Sequence, residues 1–334
     1  MSSAARPPGL GAATGDSDLI ARVEPLLRGA GLVDRASVVR VDDDRVAFAH
    51  FGARSDTVYE IGSVTKTMTS LLFAAAVEAG ELRSDTTLGS LLDVRSSQVA
   101  AATLEELASH RSGLPRLAGR RRDRLKIYSA VLRRRNPYTA DVTTLLAQAD
   151  AATIVDAGSF SYSNLGTALL GQALAAHAGV GYPALLDRQL FGRLGMTSST
   201  TPLSARELPP DAPTGWNARG KSEQAWTMNA YAPAGGVRST PEDMARYARG
   251  LLDRRAPGLG ALEPRWDADG ESRVGHAWLT DCVDGAQISW HNGATGGFSS
   301  MLALDRTRPA AVVILANTVA VLDEIAIHVL LEPN

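Results

Sequence analysis

Residues 62–80 read GSVTKTMTSLLFAAAVEAG. Ser63 stands where a helix would begin and Gly80 where it would stop, and Met68 to Val77 is apolar nearly all round. A helix without a polar side must lie between two layers of structure, so the rest of the chain has to supply both. Close to its start, Ser63 and Lys66 are one turn apart, which puts a hydroxyl and an amine on one face.

Upstream, DSDLIARVEPLLRGAG (16–31) predicts a helix capped near Asp16 or Asp18, with Leu19, Ile20, Val23, Leu26 and Leu27 on one side. ASVVRV (36–41) and RVAFAHFG (45–52) flank the acidic turn Asp42 to Asp44 and predict a hairpin. Downstream the signals turn helical. LEELASH (104–110), VTTLLAQA (142–149), SNLGTALLGQALAAHAG (163–179) and YPALLDRQLFGRLG (182–195) show apolar i, i+3, i+4 spacing. After a Pro-rich connection, Ser239-Thr240-Pro241-Glu242 sets up another helix start. VGHAWLTD (274–281), AQISWHNG (286–293), FSSMLALD (298–305) and AAVVILANT (310–318) then predict an antiparallel meander, closed by the helix VLDEIAIHVLLE (321–332). The expected fold is α+β: an antiparallel sheet flanked by helices, built from residues 15–80 and 230–334. A helical domain over 81–229 is inserted, and the active site lies between the two parts.

The 334 residues are 45% hydrophobic and 21% charged, which excludes disordered and fibrous classes. Basic and acidic residues nearly cancel, 34 against 36, so nothing global calls for nucleic acid or a membrane surface as partner. One stretch departs from this balance. Arg111 to Arg135 holds ten basic residues and one acid, Asp123, and reads as a solvated face or as a guide for an anionic substrate. A lone cysteine, Cys282, excludes an intramolecular disulfide and Cys-rich metal sites, and a core thiol is expected there. No metal or other cofactor is called for. The first residues, MSSAARPPGLGAATGDSD, lack the apolar run of a secretory leader, and Met68 to Val77 falls short of the roughly 20 residues of a membrane span. A soluble, cytoplasmic protein is expected.

GWNARGKS (215–222) matches a phosphate-binding loop by letter, but ELPPDAPT precedes it where a buried strand is needed. Three other stretches carry chemistry. Ser63 is a poor nucleophile unless a base and an oxyanion site adjoin it, and Lys66 is a base only if its pKa drops by roughly 3 units, about 4 kcal/mol. Burial and neighbouring cations would do this. In Tyr162-Ser163-Asn164, before the helix LGTALLGQALAAHAG, the phenol and carboxamide can point the same way as proton shuttle and orienter, although Asn164 could equally be a helix cap. Trp290-His291-Asn292-Gly293-Ala294-Thr295-Gly296-Gly297 closes the strand AQISW. Gly293 on an edge strand would let substrate approach, His291 would enter the cleft, and the N–H of Ala294 would complete an oxyanion hole with that of Ser63.

In the order and spacing of these elements the sequence resembles the serine β-lactamase/penicillin-binding-protein superfamily, specifically the class C β-lactamase-like branch of esterases, D,D-peptidases and acyltransferases. LASHRSGLP (107–115), RNPYTADVTTLLAQA (135–149), FSYSNLGTALLGQAL, LFGRLGMTSST, APAGGVRSTPEDMARY and WHNGATGGFSSMLALD carry the resemblance over nearly the whole chain. It implies a β-lactamase/transpeptidase-like fold and a covalent acyl-serine intermediate. It also implies Ser63 as nucleophile, Lys66 as its base, Tyr162 as a second proton carrier, and Asn164, His291, Asn292 and Gly293 as substrate-positioning residues. Where dedicated β-lactamases of this branch have Lys-Thr-Gly, this chain has His291-Asn292-Gly293, so a titratable imidazole replaces a permanent charge. The expected substrate is therefore a small-molecule acyl donor, an ester or amide, with water, an amine or an alcohol as acceptor. A true β-lactamase or D,D-peptidase and a non-catalytic acyl- or peptide-binding sensor are the alternatives.

Overall fold

A computed structural model describes residues 9–117 and 121–332. Residues 1–8 of the N-terminal stretch and 118–120 of the Arg-rich stretch lie outside the described residues. Among the described residues nine strands form one antiparallel sheet: β1 (Ala13–Gly15), β2 (Ala36–Val41), β3 (Val46–Phe51), β4 (Trp266–Asp267), β5 (Arg273–Val274), β6 (Leu279–Val283), β7 (Ala286–Ala294), β8 (Ser299–Asp305) and β9 (Ala310–Ala316). Their order across the sheet is β1-β3-β2-β9-β8-β7-β6-β5-β4. The two ends of the chain thus meet mid-sheet, where β2 pairs with β9 and Val313 opposes Val39.

Side-chain alternation divides each central strand between two cores. Val38, Ile288, Met301, Val312 and Ile314 face α1 (Ser17–Gly29) and the C-terminal helix Asp323–Leu331, whereas Val39, Leu302, Leu304, Val313 and Leu315 face the core that holds α2 (Thr65–Glu78). Both faces are covered, so these strands read as near-continuous apolar runs. Asp16 caps α1 by accepting from Leu19 N–H at 3.0 Å. On the other face α2 is buried from Thr65 to Ala74, as its all-round apolar sequence requires. Its hydroxyls are satisfied by neighbours on both sides: Thr67 by Tyr247 at 2.9 Å, and Thr69 by Tyr182 and by the Pro233 carbonyl at 2.7 Å.

Three expectations need correction, and the phosphate-loop match that the sequence context argued against falls away. VGHAWLTD is two strands, because Gly275 N–H donates to Trp278 O and Ala277 sits at φ 63°, folding Gly275 to Trp278 into a turn between β5 and β6. β7 is not an edge strand, since β6 and β8 pair on either side of it. Cys282 is exposed, near the end of β6 beside the Asp284-Gly285 turn. GWNARGKS is a small hairpin, Gly215–Trp216 against Ser222–Glu223, with no helix to gather phosphate. Among the described residues no helix is long and apolar enough to cross a membrane.

Candidate active site

The short strands Tyr59–Glu60 and Arg238–Ser239 pair just ahead of Ser63. Glu60 and Arg238 are 3% and 1% exposed, and their carboxylate and guanidinium meet at 2.5 Å. Burial pushes the Glu60 carboxyl up against the opposing pull of Arg238. Glu60 also accepts from Trp226 N–H at 2.9 Å, which anchors the chain entering the helix start.

From there the backbone turns at Gly62 and runs against β7. Gly62 has φ 49°, and a Cβ on it would lie 2.7 Å from Ala294 N; a Cβ on Gly293 would lie 2.1 Å from Ile61 O and 3.0 Å from Ser63 N. Only glycine permits this contact of backbones. It brings the N–H-bearing atoms of Ser63 and Ala294 onto adjoining segments.

Ser63 is half-buried, while Lys66 is wholly buried. Lys66 Nζ donates to Ser63 Oγ at 3.0 Å and to the Ala234 carbonyl at 2.5 Å. Burial first, then the Arg116 guanidinium, hold its amine well below the ordinary lysine value. Burial pushes the Tyr162 phenol up against the opposing influence of the nearby Ser63 hydroxyl, so it keeps its proton at neutral pH. Lys66 Nζ lies 4.9 Å from the centre of the Tyr162 ring.

Ser163 caps α3 (Asn164–His177) by accepting from Gly166 N–H at 2.9 Å, so the cap is Ser163 and not Asn164. Asn164 is free for another task. Its amide donates to the Tyr138 hydroxyl at 3.1 Å, and its buried Oδ1 has no partner. His291 faces the same site, its ring 6.1 Å from that of Tyr162. His291 Nδ1 contacts the Asn292 carbonyl at 2.6 Å; a carbonyl only accepts, so Nδ1 carries the hydrogen and the unpartnered Nε2 is an acceptor. Burial, then Lys66, lower its pKa to about 3, so the ring is neutral at physiological pH. Asn292 is not brought to the site. Alternation along β7 turns its side chain to the opposite face, where its amide donates to both carboxylate oxygens of Asp323 at 3.2 Å.

The structure adds two residues for which the sequence suggested no role, His110 and Tyr138, and singles out Arg116 from the Arg-rich run. His110 stacks on Tyr162 with ring centres 4.5 Å apart and accepts Ser163 N–H at Nδ1. Tyr138 holds Asn164, and Arg116 lies over the Tyr162 ring at 5.1 Å. All three sit in segments that carry the family resemblance or the Arg-rich run, but nothing in their spacing points to Ser63.

An antiparallel sheet flanked by helices, with a helix-start serine held against a sheet strand, is the β-lactamase/transpeptidase-like fold. The Beta-lactamase family model matches residues 21–331, and the chain belongs to that family. It is 29% identical over 254 residues to the Escherichia coli D-alanyl-D-alanine-carboxypeptidase/endopeptidase AmpH, covering 71% of this chain and 62% of that protein, less than two thirds of its length. It is 29% identical over 292 residues to penicillin-binding protein 4 of Amycolatopsis lactamdurans, with 74% and 69% covered. Among solved structures, a class C beta-lactamase superposes with TM-score 0.79 at 20% identity, covering 95% of this chain and 96% of the other. D-alanine carboxypeptidase AmpC from Burkholderia cenocepacia gives 0.76 at 21% identity, covering 92% and 95%.

Proposed function

We propose that this chain is a serine acyl-transfer enzyme, in which Ser63 takes the acyl group of an ester or amide and passes it to water, an amine or an alcohol. The carrying observation is the buried Lys66 amine, 3.0 Å from the hydroxyl of the half-buried Ser63. As a neutral amine Lys66 gives one N–H to Ala234 O and keeps its lone pair for the Ser63 proton. Oγ attacks the carbonyl carbon, and the oxyanion is received by the N–H groups of Ser63 and Ala294. Collapse breaks the bond to the leaving group, which takes a proton from Tyr162; the Lys66 ammonium returns one to the phenol. The acceptor then repeats the sequence in reverse. Asn164 Oδ1 and His291 Nε2, both unpartnered acceptors, orient donors on the substrate. In this reading the acyl donor enters between the sheet part, 15–80 and 230–334, and the helical part, 81–229.

The neutral His291 supports esters and unstrained amides over β-lactams, because β7 offers no fixed cation for a carboxylate. A sensor without catalysis would have no use for a buried amine beside the Ser63 hydroxyl. The test is a burst of p-nitrophenol from p-nitrophenyl butyrate with a matching mass shift on intact protein, both lost in Ser63→Ala. Undiminished fluorophosphonate labelling of Ser63→Ala would refute the assignment. Adding hydroxylamine separates the two fates of the acyl-enzyme: diversion of product to the hydroxamate supports transacylation, and unchanged acid release supports a hydrolase. Rapid nitrocefin turnover would overturn the argument from His291.

A further inference from the structure

Arg116 follows the last turn of the LASHRSGLP segment and is exposed at the mouth of the site. Its guanidinium lies against the face of Tyr162, 5.1 Å from the ring centre. Such a cation–π contact holds the guanidinium over the ring without using its N–H groups in hydrogen bonds. Among the described residues no carboxylate pairs with Arg116 and no acceptor meets its N–H groups, whereas Arg40, Arg238, Arg246 and Arg308 all have carboxylate partners. The Glu60 carboxylate ahead of Ser63 is already paired with Arg238, and no carboxylate is among the groups that shift Lys66, Tyr162, His110 and His291. An open guanidinium fork beside the nucleophile, with no carboxylate of this chain on it, is matched by a bidentate oxyanion.

We propose that Arg116 is a specificity-determining residue that binds a carboxylate carried by the acyl donor, on the Tyr162 side of Ser63 and away from β7. This deepens the acyl-transfer reading and rests on it for the identity of the reacting atom. It assigns the substrate class as monoanionic esters or amides, and it makes one residue of the Arg-rich stretch a direct contact.

The test uses the full chain as Ser63→Ala, which cannot turn ligand over, with and without Arg116→Gln. Calorimetric titrations compare p-nitrophenyl hydrogen glutarate, with the charge on the acyl half, and 4-(butyryloxy)benzoate, with it on the leaving half, against neutral p-nitrophenyl butyrate. At least one carboxylate is expected to bind about tenfold tighter than the neutral ester, and Arg116→Gln to remove that advantage while the neutral ester is unaffected. Which carboxylate gains tells which half of the substrate Arg116 holds. Arg116→Lys should restore part of the preference, as a point charge does for a lost fork. If neither carboxylate outbinds the neutral ester, or if the preference survives Arg116→Gln, the proposal fails. Fluorophosphonate labelling of the unmutated chain reports separately on Ser63, so the two assignments fail independently.

Discussion

The two faces of the nine-stranded sheet are built differently. Toward α1 and the C-terminal helix, the buried contacts are Leu19, Val23, Leu27, Val38, Met301, Val312, Ile314 and Val329, aliphatic and close-packed. Toward α2 the same strands meet a core that also buries Lys66, Thr67, Thr69, Ser70, His110 and His291. Most of those groups are tied to partners, but His110 Nε2, Asn164 Oδ1 and His291 Nε2 have none. Unsatisfied buried polar atoms are costly, and these three lie at the proposed site, with others on His276 and Trp278 in the same layer.

The largest effect expected from breaking this asymmetry is at Lys66. Lys66→Met should lower kcat for p-nitrophenyl butyrate by about 10³-fold with little change in KM, since the amine moves a proton in the transition state. Its melting temperature should rise. The folded-state pKa of Lys66 lies below the unfolded value, so at pH 7 the unfolded chain binds a proton that the folded one resists, and removing the amine removes that bias. A variant that melts lower, or turns over at the wild-type rate, would break the comparison. Next in size is the ion pair that sets the helix entry. Arg238→Ala leaves Glu60 buried without its counter-charge and should cost about 3–5 kcal/mol in denaturant unfolding, whereas a near-neutral result would make the pair dispensable. On the other face Ile314→Val should cost only about 0.5–1.5 kcal/mol, with kcat unchanged, as expected for a missing methylene away from the site.

The same asymmetry explains what could be read from the sequence. The apolar periodicity of 16–31 and the Ser-x-x-Lys at a helix start are local, and both elements stand where they were expected. At this end β7 alternates, with His291 and Gly293 buried and Asn292 exposed, but polar and small residues stand on both faces, so His291, Asn292 and Gly293 read as one cluster although the pleat turns Asn292 to Asp323. Direction alternates at every residue, and a segment without hydrophobic contrast between its two faces does not show it in the sequence. Arg116, His110 and Tyr138 were out of reach for a different reason. They join the site through tertiary contacts with Tyr162 and Asn164, across separations of tens of residues that no local rule spans.

The smallest expected effect tests whether the exposed arginine and the buried amine are coupled at all. In the proposed mechanism Lys66 is unprotonated in the free enzyme and accepts the Ser63 proton, so kcat/KM for a neutral ester should fall as pH drops through the Lys66 pKa. Burial is the main reason that pKa is low, and the Arg116 charge is the second. Arg116→Gln removes the second, so the Lys66 pKa rises and the acid limb moves to higher pH, with the high-pH plateau unchanged. The move should be small, because an exposed guanidinium is screened by solvent and salt. His291, at about 3, adds no limb in the working range, and His110, held well below the ordinary histidine value, lies on the same acid side. Raising the salt concentration should move the wild-type limb in the same direction as the substitution and leave Arg116→Gln nearly fixed. Using p-nitrophenyl butyrate keeps substrate charge out of the measurement, so a displaced limb reports on Lys66 alone. A limb that stays in place, or moves to lower pH, would mean that Arg116 does not act on the amine and that burial by itself tunes the base.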